Sequence, residues 1–165
     1  MEINIRFIAS GLFLLISILG MTRSASVDHG PPVTDICLGC ICQAVSNCNV
    51  SATCDGSTCG LFKITEAYWV DSGRPRLEAQ PQNNDYYPRN DYVDCVLDPR
   101  CAARSVQGYM TKLGKDCNND GVIDCYDYMA IHKLGGYGCG GYLPLDYSNR
   151  FNSCLQRVQD KRQQG

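Results

Sequence analysis

Residues 37–48 read CLGCICQAVSNC, and the way this stretch folds sets the frame for the rest of the chain. Thr34, just upstream, has a side-chain oxygen able to cap a helix by accepting from an amide of the first turn. Ile36, Cys40 and Val45 then fall broadly on one side of a helix over residues 35–46. The stretch holds four of the chain's 12 cysteines, all of which lie between Cys37 and Cys154. That density is foreign to most cytosolic domains and typical of a disulfide scaffold. An even number gives six bridges with none left over. Zinc on Cys37-x-x-Cys40 would need a second pair at similar spacing, and Cys95…Cys101 and Cys117…Cys125 are too far apart for a zinc ribbon.

Working outward toward the N-terminus, residues 1–6 are a short polar start with one arginine. Phe7 to Leu19, FIASGLFLLISIL, is almost wholly apolar. It is shorter than the roughly 20 residues needed to cross a bilayer core. It has the length of a secretory signal's apolar region, and the small residues Thr22, Ser24, Ala25 and Ser26 follow it. Cleavage after Ser24 or Ser26 predicts a signal peptide over 1–25, a leader over 26–34 and one secreted domain over 35–160. In that setting Asn49-Val50-Ser51 is an N-glycosylation sequon. The formal net charge is −2, and losing Arg6, Arg23 and Glu2 with the signal makes it −3. No basic patch stands out, so the expectation is a monomer with no nucleic-acid or membrane partner.

Toward the C-terminus, Gly60 to Trp69 alternates Phe62 and Ile64 against Lys63 and Thr65, which predicts a short half-buried strand. Residues 73–91 form a Pro-, Asn- and Tyr-rich loop. Helical patterning returns near Asp91, with Cys101, Ala102, Ser105, Val106, Tyr109, Met110 and Leu113 at three-to-four spacing and Gly114 as a stop. Further helices are predicted over residues 125–134 and 145–162. The expected class is α+β: helix-dominated, with a small β-sheet, stapled by six disulfides.

The motifs CLGCIC (37–42), CGLFKI (59–64), YWVDSG (68–73), Cys101-Ala-Ala, VQGYM (106–110), Asp116-Cys117-Asn118 and DYMAIH (127–132) occur in an order that resembles the invertebrate-type lysozymes, also called destabilases. The resemblance spans residues 35 to 155. It implies a lysozyme-like fold with a cleft between a helical part and a small sheet. It also implies cleavage of the β-1,4 bond between N-acetylmuramic acid and N-acetylglucosamine, with bacterial cell-wall glycan as partner, no cofactor required, and Trp69 and Asp71 among the substrate-binding residues. Family-like local pairing, with closeness in sequence, joins Cys42–Cys48, Cys54–Cys59 and Cys95–Cys101. The partners of Cys37, Cys40, Cys117, Cys125, Cys139 and Cys154 stay open.

Retaining glycosidases need two carboxylates, one protonated and one ionised. The family's acid is a glutamate three residues before the cysteine that follows the CxC. Counting back from Cys48 gives Val45, which has no proton to donate. The second carboxylate falls in a segment that is here shortened to Asp55-Gly56-Ser57-Thr58, where Asp55 is the one acid and a plain turn is an equal reading. Some members also hydrolyse isopeptide bonds with a serine, a lysine and a histidine. Thr58 stands at the serine position, Thr65 at the lysine position and His132 at the histidine position. A threonine can be a nucleophile when a base activates it. Three readings remain: a lysozyme acting on peptidoglycan in defence or digestion, a non-catalytic relative that binds glycan or a protein through the same cleft, and an isopeptidase.

One more pattern stands apart. Asp116, Asn118, Asp120, the Val122 carbonyl and Asp127 occupy positions one, three, five, seven and twelve of a calcium-loop pattern, with Gly121 at six. The segment is similar to dockerin loops and predicts a structural calcium ion. The competing reading is a turn held by bridges from Cys117 and Cys125, its acids solvated.

Overall fold

The computed structural model describes residues 33–77 and 90–164. The expected signal peptide, most of the leader and the middle of the 73–91 loop lie outside them.

Helix α1 (Asp35–Ser46) starts where Thr34 Oγ1 accepts from the Cys37 amide at 3.2 Å. It stops where Asn47 turns left-handed, φ 55°, and its N–H reaches the Cys42 and Gln43 carbonyls. The buried set is wider than one stripe: Cys37, Leu38, Cys40, Ile41, Cys42 and Ala44 are buried, while Ile36 and Val45 are only half-buried. The helix has this wide dry face because two others, α5 (Cys125–Leu134) and α6 (Leu145–Gln163), both pack against it. Cys37–Cys125 ties it to α5 and Cys40–Cys154 ties it to α6. The remaining bridges are Cys42–Cys48, Cys54–Cys59, Cys95–Cys101 and Cys117–Cys139.

The sheet is small. β1 (Cys54–Asp55), β2 (Thr58–Cys59) and β3 (Ile64–Thr65) run antiparallel in that order, with Asp55 opposite Thr58 and Cys59 opposite Ile64. The strand expected over residues 60–69 is therefore mostly something else. Residues 60–63 turn, with the Lys63 amide on the Gly60 carbonyl, and only Ile64 and Thr65 pair. Thr65 then caps α2 (Glu66–Asp71), its Oγ1 accepting from the Tyr68 amide at 3.2 Å. A cap with an acidic first residue starts a helix more strongly than alternation extends a two-residue strand.

The helical pattern from Asp91 to Leu113 forms two helices, α3 (Asp91–Leu97) and α4 (Pro99–Leu113). The break is chemical: Asp98 Oδ1 accepts from the Cys101 amide at 2.8 Å, and Pro99 supplies a first residue that has no N–H to satisfy. α2 lies against α4 through Gly108, where a Cβ would stand 2.3 Å from the Ser72 carbonyl oxygen. That close approach brings Tyr68 onto Tyr109 and Asp71 onto Lys112. Ile41, Ile64, Val96, Val106, Ile131 and Phe151 form the driest part of the core.

Asp127 is fully buried, yet it is fully partnered. Its Oδ1 accepts from the Cys117 amide at 2.7 Å and its Oδ2 from the Asp124 amide at 2.8 Å, closing a capping box with Asp124 at the start of α5. Removing it strands two backbone donors. Asp127→Ala is expected to cost about 3 kcal/mol and lower the melting temperature by roughly 10 °C, read by circular dichroism. A melting temperature within a degree or two of wild type would contradict this role.

Candidate functional site

The end of α1, the turn before β3, one face of α2, Tyr109 of α4 and the end of α5 enclose a cleft of about 470 Å³. Val45, Thr58, Lys63, Tyr68, Asp71 and His132 are among its lining residues. The position where the resemblance expects an acid is thus in the cleft wall, and it is a methyl-bearing surface.

Asp55 is elsewhere. The segment between Cys54 and Cys59 is so short that Asp55 and Thr58 pair directly across Gly56 and Ser57, with Gly56 at φ 60°. Asp55 therefore sits on the hairpin tip with its side chain 87% exposed, and its one ionic partner is Lys63 at 3.7 Å. It does not line the cleft.

Thr58 and His132 do share the cleft, but each is engaged with another group. Thr58 Oγ1 donates to the Asp55 carbonyl at 3.3 Å. His132 Nε2 lies 2.9 Å from the Phe62 carbonyl oxygen and its Nδ1 lies 3.1 Å from the Tyr68 hydroxyl. A carbonyl can only accept, so Nε2 carries the proton and Nδ1 accepts from Tyr68. Both ring nitrogens are thereby used, and Thr65 in place of lysine completes no triad. Burial lowers the His132 pKa from 6.5 to about 4, with the Phe62 carbonyl opposing the shift and the Lys133 charge adding to it. The imidazole is neutral at pH 7. Burial also raises the Tyr68 pKa, so the hydroxyl stays protonated and keeps donating.

Of the two residues expected to bind substrate, Asp71 lines the cleft and is bonded to Lys112 at 2.8 Å. Trp69 is in the core, 7% exposed, its indole donating to the Pro75 carbonyl at 2.9 Å and its ring against Tyr92. The reason is helical phase: α2 presents Tyr68 and Asp71, three residues apart, to the cleft, which turns Trp69 the other way. Lys63, Tyr109 and Lys133 line the cleft as well. Only their place in space marks them, since lysine and tyrosine are common surface residues.

The calcium pattern does not become a coordination sphere. Asp116 accepts from the Asn119 and Gly121 amides, Asp120 accepts from the Val122 amide and the Asn118 side chain, and Asp127 faces inward onto backbone. An ion at these donors would have to displace the amides of Cys117 and Asp124 from Asp127. Among the described residues, no group of three or more His, Cys, Asp or Glu side chains is placed to hold a metal ion. The loop is stapled by Cys117–Cys139, and Cys125 bridges to α1.

His132 sets a pH dependence with a definite sign. The unfolded imidazole titrates near 6.5 and the folded one near 4, so its contribution is complete above pH 6.5 and lost as pH falls toward 4. Allowing for solvent at the cleft, the loss is on the order of 2 kcal/mol. His132→Gln is expected to weaken the protein at pH 7 yet to lose less between pH 7 and pH 4 than wild type does. Denaturant melts at the two pH values give the comparison, and parallel losses would refute the assignment.

Residues 34–154 match the Destabilase family. The lysozyme of Meretrix lusoria is 34% identical over 132 residues, covering 78% of this chain and 93% of its own length. Invertebrate-type lysozyme 6 of Caenorhabditis elegans is 31% identical over 116 residues, 68% of this chain and 80% of its own. Among solved structures, the Meretrix lusoria lysozyme in complex with Aeromonas hydrophila PliI superposes with a TM-score of 0.54 at 33% identity, over 73% of this chain and 89% of that one. With its cleft, helices and bridges in place, the chain belongs to the Destabilase family, the invertebrate-type lysozymes.

Proposed function

We propose that this is a secreted lysozyme relative whose cleft engages the glycan of bacterial peptidoglycan, as a monomer, and that it binds the polymer far better than it cleaves it. The observation that carries this is Val45. It stands in the cleft wall where the family resemblance places the proton donor; among the described residues the carboxyl that lines the cleft is Asp71, which is paired with Lys112, and Asp55 is on the hairpin tip. General acid catalysis is worth about 10²–10⁴-fold, so its loss leaves recognition with little turnover. Secretion is supported by the apolar N-terminal run and by six bridges, which persist in oxidising compartments. Asn49 of the sequon is exposed and open to glycosylation.

Wild-type protein is expected to sediment with insoluble peptidoglycan while clearing a bacterial suspension slowly. Val45→Glu is expected to raise clearing by about tenfold, below the full range because Lys63 and Lys133 hold the new carboxyl ionised. Adding Lys63→Gln to that variant should raise clearing further. Fast clearing by the wild type would overturn the proposal, as would failure to sediment.

A further inference from the structure

Charge around Val45 is the opposite of what a glycosidase acid needs. A second cavity of about 220 Å³ adjoins the cleft, and Val45, Lys63 and Lys133 line both. The two lysines come from different parts of the fold, Lys63 from the turn before β3 and Lys133 from the end of α5. Lys63 is held there by a left-handed backbone, φ 51°, a conformation that costs a side-chain-bearing residue free energy and clusters at functional sites.

Each acid nearby has a basic partner, and all of these pairs are exposed. Asp71 is paired with Lys112 and Asp146 with Arg150. Asp55 lies 3.7 Å from Lys63, but an ion pair so exposed is screened and worth little. Lys133 has no carboxylate partner among the described residues, and its ammonium stands 5.5 Å from the centre of the Tyr147 ring. Two lysines and an apolar side chain are therefore shared by the linings of both cavities.

We propose that this junction takes an anionic group of the bound glycan, a carboxylate seated over Val45 between Lys63 and Lys133. The proposal rests on the reading that the cleft binds glycan, and it adds which chemistry the cleft selects. Glycans offer such a group on the lactyl ether of muramic acid or on a uronic acid.

Isothermal titration with three tetrasaccharides separates these cases: neutral chitin tetrasaccharide, an alternating N-acetylglucosamine–N-acetylmuramic acid tetrasaccharide with free lactyl carboxylates, and a galacturonic acid tetrasaccharide. At low salt the muramyl compound is expected to bind about tenfold tighter than the neutral one, and the advantage should shrink at about 0.5 M salt. The Lys63→Gln/Lys133→Gln variant should lose most of that difference. An equal gain with the galacturonic compound supports a site that reads any sugar carboxylate, and a gain confined to the muramyl compound supports one fitted to the lactyl group. If neutral and acidic compounds bind alike at both salt levels, the lysine site is wrong and the glycan cleft stands. If none of the three binds, the glycan reading itself falls.

Discussion

The placement of every functional group depends on how α1 is held. Cys37 and Cys40, one turn apart, bridge to Cys125 and Cys154 across 88 and 114 residues of chain. On a chain-entropy account each such closure removes about 4–5 kcal/mol of freedom from the unfolded state. A three-strand sheet of two-residue strands is not stable alone. The sheet instead leans on α1 and the core. Ser46 Oγ donates to the Leu61 carbonyl at 2.5 Å, Phe62 and Ile64 are buried, and Cys59 is buried in its bridge to Cys54. One clamped helix thus fixes both cleft walls, carrying Val45 on one and anchoring the turn that presents Lys63 on the other.

The cleft is closed below by an interaction with a similar logic. His132 bonds the Phe62 carbonyl beside the sheet and the Tyr68 hydroxyl on α2, while Tyr68 stacks on Tyr109 with ring centres 3.7 Å apart. A neutral imidazole can donate to a carbonyl from one ring nitrogen and accept from a hydroxyl at the other. Here it joins three elements that have no bridge between them. A histidine so used has no free nitrogen with which to serve as a base, and its lowered pKa follows from the same burial that makes it a good joint.

Much of this was legible in the sequence because it is local. The start of α1 follows from Thr34, a helix over 125–134 was expected from its pattern, and the three short-range bridges were expected from closeness and family pairing. What was not legible depends on contacts between distant segments. Alternation at Phe62 to Thr65 looks like a strand until Thr65 is seen to cap a helix. Trp69 carries the composition of a sugar platform, and only the packing of α2 through Gly108 turns it inward. The acids from Asp116 to Asp127 fit a calcium loop by spacing, but spacing does not say which way a side chain faces, and Asp127 faces the backbone. Lys63 and Lys133 are 70 positions apart, and nothing in either neighbourhood announces that they meet at Val45.

Fold and chemistry are separable here, and the site shows how. Val45 is half-buried at the last turn of α1 and packs against the core, so what the fold takes from this position is apolar contact and not a carboxyl. What a glycosidase acid needs in addition is an environment that keeps it protonated, apolar or negative, as in sites where burial raises a carboxyl pKa. The cavities that Val45 lines also carry Lys63 and Lys133, whose ammonium groups would lower it. On the proposed reading, the departure from lysozyme chemistry is more than one residue. Val45 stands where the resemblance places the proton donor, Asp55 is on the short hairpin closed by Cys54–Cys59, and Lys63 and Lys133 line the cavities beside Val45. Three changes in the same electrostatic direction are what a cleft that holds acidic ligands would carry, and they work against one that must protonate a leaving oxygen.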